Sequence, residues 1–173
     1  PSGKFQFAKR GVFGDINEGG GTAEVTTSNA LSLEEFYHIA ITYGGSEIII
    51  YINGAQDVSV PASGNLSNYS EYLMIGESSD NGFIGRIDNL RIWNINRTQE
   101  QIQTNLNMEY SEPQDNLVGY WKFNAGSGDI LYDYSGYQSH GTIYEAVWYE
   151  NAYGCMDSLA FNYEPDAEFD DGS

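Results

Sequence analysis

Basic residues are scarce: seven Lys and Arg stand against 25 Asp and Glu, a formal charge of −18 over 173 residues. Nucleic acid and anionic membrane surfaces are polyanions, so neither is the expected partner. Cations are what such a chain attracts, and plain solubility in a salty medium is the other explanation of the charge. Cysteine is nearly absent too. Cys155 stands alone and cannot close an intrachain disulfide, so the cysteine count is silent on secretion. No apolar run approaches the roughly 18 residues of a membrane span, which argues against membrane insertion, and no signal peptide is seen. The sequence starts at Pro1 without a methionine, and the expectation is a processed chain or a piece of a longer one.

Hydrophobic residues make up 40% of the chain, enough for a core, and 20 glycines and 14 tyrosines with abundant Asn, Ser and Thr favour strands joined by tight turns. The fold class is all-β. Strands are expected at 4–8, near Val12 and at 22–27, around a Gly-rich loop at 15–21 whose tip carries Asp15, Asn17 and Glu18. FYHIAITY at 36–43 and EIIIYIN at 47–53 alternate as a hairpin, closed by Asn53-Gly54, a pair suited to positive φ. His38, with no second histidine near, reads as structural. Further strands are expected at 57–60 and 71–76.

FIGRIDNLRIWN at 83–94 carries long alternation whose apolar side switches part way, so a strand with a bulge or bend near Asp88 is expected. Thr98 with Gln101 forms a capping-box signature, predicting one short helix to about Met108. Strands follow at 117–124, 129–133 and 142–148. From Tyr149 the chain becomes acidic and too short for its own core, and needs a metal, a disulfide or a neighbour to order it.

The 36–54 hairpin resembles the "W-H-x-A-x-T-Y … Y-x-N-G" pattern of laminin-G-like, concanavalin A-like jelly-roll modules, and 83–94 resembles their "F-x-G-x-I-D-x-x-R-I-W-N" strand. LVGYWKFNAGSGDILYDYSGYQSHGTIYEAVW at 117–148 resembles the segment that usually opens such a module, yet here it follows the closing strand. Two readings stand. Either these strands complete one sandwich spanning 1–150, or they begin a second copy that is cut short, in which case a neighbouring chain supplies the missing strands; uncovered apolar strands favour completion. Residues 151–173 are similar to an acidic "G-C-x-D … D-D-G-S-C" repeat of bacterial surface proteins, which implies that Cys155 pairs with a cysteine beyond Ser173.

The resemblance implies a structural calcium at Asp88 and Asp133. The residues themselves leave alternatives: a capped bulge or a bond to Arg86 or Arg91 for Asp88, and an Asx turn for Asp133. In the tail Asp157, Asn162, Asp166 and Asp171 are candidate calcium ligands, against a solvated acidic linker. Jelly-roll hydrolases need two carboxylates roughly 5 Å apart on one strand. No such strand occurs, nor a Ser/His/acid set, so the chain is expected not to be an enzyme. Tyrosines in strands read mainly as core or cross-strand pairs, and no sugar site is named. The expected function is calcium-stabilised adhesion or glycan binding, extracellular or at the cell surface, with a surface polysaccharide as partner. The alternative is a repeat of a stalk, sheath or filament that associates with copies of itself.

Overall fold

The computed structural model describes residues 3–9, 23–33, 35–63, 73–76, 83–149, 153–154 and 169–170. The expected strand near Val12, the 15–21 loop, Cys155, Asp157, Asn162, Asp166 and Asp171 lie outside them. The protein is all-β, its described residues carrying strands and one short helix. They divide into two units, Pro1–Ile75 with Trp93–Asn116, and Gly76–Ile92 with Leu117–Ser173.

In the first unit, β1 (Gln6–Lys9) pairs antiparallel with β2 (Ala23–Thr26). The alternation at 36–53 yields β3 (Ile39–Tyr43) and β4 (Glu47–Ile52), which with β5 (Ala55–Pro61) make an antiparallel sheet in the order β3-β4-β5. Central β4 buries Ile48 and Ile50 on one face, where they meet Val25 of β2 and Ala62. Each such side chain contributes roughly 1.5–3 kcal/mol by leaving water. Asn53 and Gly54 both take positive φ, 50° and 78°, as the turn demands. The register shifts after Ile50, opposite Val58, so that Tyr51 faces Gln56 and Asp57 is left over as a bulge. That residue is put to use, its carboxylate accepting from the Ser28 amide at 2.7 Å.

The helix α1 (Gln99–Thr104) opens on the expected capping box: the Gln101 amide donates to Thr98 Oγ1 at 3.3 Å, and the Thr98 amide to Gln101 Oε1 at 3.0 Å. It is shorter than the sequence reading. Asn105, at φ −106° and ψ 12°, leaves the helical region while its side-chain amide takes the Gln101 carbonyl. The strand expected over 83–94 is also cut down, to β6 (Leu90–Trp93). Asn89 takes φ 54°, which breaks the extended backbone one residue after the bend expected at Asp88. Ahead of it, the Phe83 amide bonds to the Gly76 carbonyl outside any strand. Likewise 73–76 forms no strand.

In the second unit, β7 (Leu117–Trp121) pairs with β6, and β8 (Ile130–Leu131) pairs antiparallel with β9 (Gly141–Thr142). Among its described residues Leu117, Tyr120, Trp121 and Leu131 are the buried apolar ones. A Cβ on Gly119 would lie 2.5 Å from the Trp121 indole, so the glycine gives that ring its place. The strand expected over 142–148 stops at Thr142, because Glu145 sits at φ 59° and the Ala146 amide turns back onto the Tyr144 carbonyl. In the acidic tail, β10 (Tyr153–Gly154) and β11 (Phe169–Asp170) form a parallel pair.

Candidate functional site

The site grows from the short alternating stretch 131–135, in which Leu131, Asp133 and Ser135 are buried and Tyr132 and Tyr134 are exposed. On the inner side, Asp133 is 7% exposed and both its carboxylate oxygens are fully used. Oδ1 accepts from the amides of Tyr120 at 2.9 Å and Ser135 at 2.8 Å. Oδ2 accepts from the Ser135 hydroxyl at 2.8 Å and the Ser139 amide at 2.9 Å. Burial pushes the carboxyl's pKa up, but the bonds from Ser135, Tyr120 and Ser139 outweigh it and hold the group below its ordinary value. The loop that follows is tied down at both ends: Trp121 Nε1 donates to the Ser139 carbonyl at 3.1 Å, and the Asp133 amide donates to His140 Nδ1 at 3.0 Å.

The outer side is aromatic. Tyr132 and Tyr134, 45% and 44% exposed, project from alternate positions of the same stretch. Tyr134 is braced edge-to-face by buried Tyr120, ring centroids 6.4 Å apart, and Tyr132 by His140 at 5.4 Å. With Phe123, Asn124, Ala125, Leu131 and Trp148 they line a shallow depression with essentially no enclosed volume. The Trp148 ring is oriented by its Nε1, which donates to the Gly128 carbonyl at 2.7 Å. Phe123 holds φ 58°, a left-handed conformation that costs a bulky residue roughly 1–2 kcal/mol. Strain of this sort gathers at functional positions, and here it delivers a ring to the depression.

Of the residues singled out from sequence, Asp133 is therefore placed as the hub of an Asx turn and loop clamp. Asp88 is exposed on the stretch before β6. Among the described residues no group of three His, Cys, Asp or Glu is arranged to hold a metal ion. As arranged, the Asp133 carboxylate does not fit a calcium ligand, because all four of its lone-pair positions already face donors. The aromatic depression escaped the sequence reading, which assigned strand tyrosines mainly to the core or to cross-strand pairs. That holds for Tyr51 and Tyr120, whereas Tyr132, Tyr134, Tyr137, Tyr144 and Tyr149 are exposed. The available signal was the pair of tyrosines flanking an aspartate, Y-D-Y-S-G, at strand spacing.

Residues 3–103 match the family profile Laminin_G_3, described as the concanavalin A-like lectin/glucanases superfamily, and the chain belongs to that family. Among solved structures it is similar to a Bacteroides ovatus protein provisionally named a carbohydrate-binding protein, with 17% identity, TM-score 0.52, and coverage of 73% of this chain and 42% of that one. The chain thus spans about two fifths of that structure's length, and the likeness establishes the fold. A second, an S-layer domain-containing protein of Clostridium thermocellum (residues 221–444), aligns at 25% identity and TM-score 0.37 over 59% of this chain and 51% of that one, a score that does not establish a shared fold. No curated protein sequence matches the chain. No helix among the described residues is long and apolar enough to cross a membrane.

Proposed function

We propose that the protein is a non-catalytic glycan-binding module, extracellular or at the cell surface, and that the depression formed by Phe123, Tyr132, Tyr134 and Trp148 is its contact surface. The observation that carries this reading is the division of labour along 131–135: buried residues lock the loop while two braced, half-exposed rings face outward beside a strained phenylalanine. Exposed rings of fixed orientation suit the apolar faces of sugars at little entropic cost, since few side-chain torsions remain to be frozen. Family membership and the provisional name of the Bacteroides ovatus neighbour support the same direction.

The test is retardation of the purified protein in gels that contain soluble polysaccharides, charged and uncharged, with reducing ends assayed in parallel. Retention on at least one polymer without release of reducing ends is the expected result. A chain that migrates freely through every polymer sinks the reading, and released reducing ends sink its non-catalytic part.

A second reading, self-association as a surface repeat, is favoured by the high exposure of Ile84, Tyr144 and Val147, at 93%, 81% and 90%. A concentration-dependent sedimentation coefficient would favour it. The calcium expectation is kept for Asp88 and for Asp157, Asn162, Asp166 and Asp171 in the tail; the tail's resemblance to a surface-protein repeat, with a bridge at Cys155, belongs to the same proposal. Melting curves that coincide in calcium and in chelator would remove calcium from it. That 117–148 completes one sandwich with the preceding strands is likewise proposed, and a monomeric fragment 1–110 with an unchanged cooperative melt would refute it.

A further inference from the structure

Charge and shape together narrow the ligand, on the footing that the depression binds glycan at all. The unit that carries it, Gly76–Ile92 with Leu117–Ser173, holds 13 Asp and Glu but three Lys and Arg, a formal net of −10. All three cations lie over tyrosine rings. Arg86 is 3.1 Å from the Tyr149 centroid, Arg91 is 5.3 Å from that of Tyr120, and the Lys122 ammonium is 5.0 Å from that of Tyr134 and 5.6 Å from that of Tyr120. A polyanionic chain would approach a protein of formal net charge −18, and the three cations of this unit already face ring quadrupoles.

Shape supplies the second limit. Sites that engulf a small molecule enclose about 300–1,000 Å³, whereas this depression encloses essentially no space for even a water-sized sphere. It can touch one face of a sugar but cannot surround one. Tyr132 and Tyr134, two residues apart in extended backbone, set their attachment points about 6.7 Å apart along one line, so the platform extends in the direction of a chain.

We infer that the depression binds an internal stretch of an uncharged polysaccharide lengthwise across Tyr132 and Tyr134, and neither an acidic or sulfated polymer nor a chain end or free monosaccharide. Binding gathered from several weak contacts along a chain grows steeply with its length.

The experiment compares gel retardation by uncharged polymers (mixed-linkage β-glucan, xylan and galactomannan) with that by acidic ones (alginate, polygalacturonate and carrageenan), at about 0.05 M and about 0.5 M salt, where screening differs strongly. Retention on an uncharged polymer at both salt concentrations is expected. A hexasaccharide should displace that polymer at a sugar concentration at least tenfold below the monosaccharide, by the same chain-length argument. Tyr132→Ala and Tyr134→Ala should each weaken retention roughly three- to tenfold, the worth of one aromatic contact. Unchanged melting of either variant separates lost binding from lost fold. Salt-sensitive retention on an acidic polymer overturns the inference, as does equal displacement by monosaccharide and hexasaccharide; both leave the glycan-binding reading standing. Retention on an uncharged polymer that survives both tyrosine substitutions also overturns it. Failure to bind any polymer removes that reading and the inference with it.

Discussion

The β3-β4-β5 sheet and the 117–149 segment achieve order by different means. In the sheet, order comes from regular ladders and from apolar burial spread over Val25, Ile48, Ile50 and Ala62, with partly buried neighbours such as Phe7, Ile41 and Val58 packed against them. In the segment the paired strands β8 and β9 are two residues each, and one carboxylate supplies what ladders do elsewhere. Asp133 accepts three backbone amides and a hydroxyl, joining β7 to the loop after residue 134. Distributed burial loses stability in proportion to the atoms removed. A hub loses several bonds at once even to a small change, and this contrast sets what each substitution should do.

The largest effect is expected at the hub. Asp133→Ala leaves the buried amides of Tyr120 and Ser135 without acceptors, at about 1–3 kcal/mol each, and should cost about 3–5 kcal/mol in all. Hydrogen exchange at the Tyr120, Ser135 and Ser139 amides is the measurement, and undiminished protection there would show that the clamp contributes little. Because the folded carboxyl's pKa is held below its ordinary value, its contribution is complete above about pH 4, the unfolded value, and is lost as pH falls through the lower folded one. The stability gap between wild type and Asp133→Asn should therefore narrow below pH 4.

In the sheet, Ile50→Ala removes a fully buried side chain and should cost about 2–5 kcal/mol by denaturant titration, while Ile50→Val should cost only about 0.5–1.5 kcal/mol. A valine variant as damaged as the alanine one would mean that the core does not respond in proportion to the atoms removed, as distributed burial requires.

The distinction also explains what was legible in the sequence. Hairpin 39–52 and the Thr98–Gln101 box were readable because a ladder and a cap are local patterns with a fixed period. The 83–94 strand was over-extended because alternation cannot reveal that Asn89 takes positive φ. At Asp133 both alternatives, ligand and Asx turn, were visible, since either uses an aspartate followed by small polar residues; which donors surround it depends on Tyr120 and Ser139, supplied from different places along the chain. The aromatic depression was hidden for the same reason, as residues 123, 132, 134 and 148 meet only after folding.

A smaller effect tests the local cap: Thr98→Ala should cost about 1 kcal/mol, since the hydroxyl satisfies one helix-end amide. Smallest of all is Phe123→Gly. Relief of roughly 1–2 kcal/mol of left-handed strain offsets the 0.5–1 kcal/mol entropy cost of glycine and the lost ring contacts, so stability should stay within about 1 kcal/mol. Retention on polysaccharide should nevertheless fall. A clear loss of stability would instead make Phe123 a packing residue.

The inside-outside alternation at 131–135 has an evolutionary consequence. Odd positions carry the scaffold and even positions carry the proposed ligand contact, so on that proposal the two are under separate selection. Tyr132 and Tyr134 can be exchanged for other residues without removing a hydrogen bond of the clamp, so on the glycan-binding proposal a lineage carrying this loop could change its sugar without rebuilding its fold. In a saturation library scored for expression, tolerance across these five residues should rise and fall with a period of two.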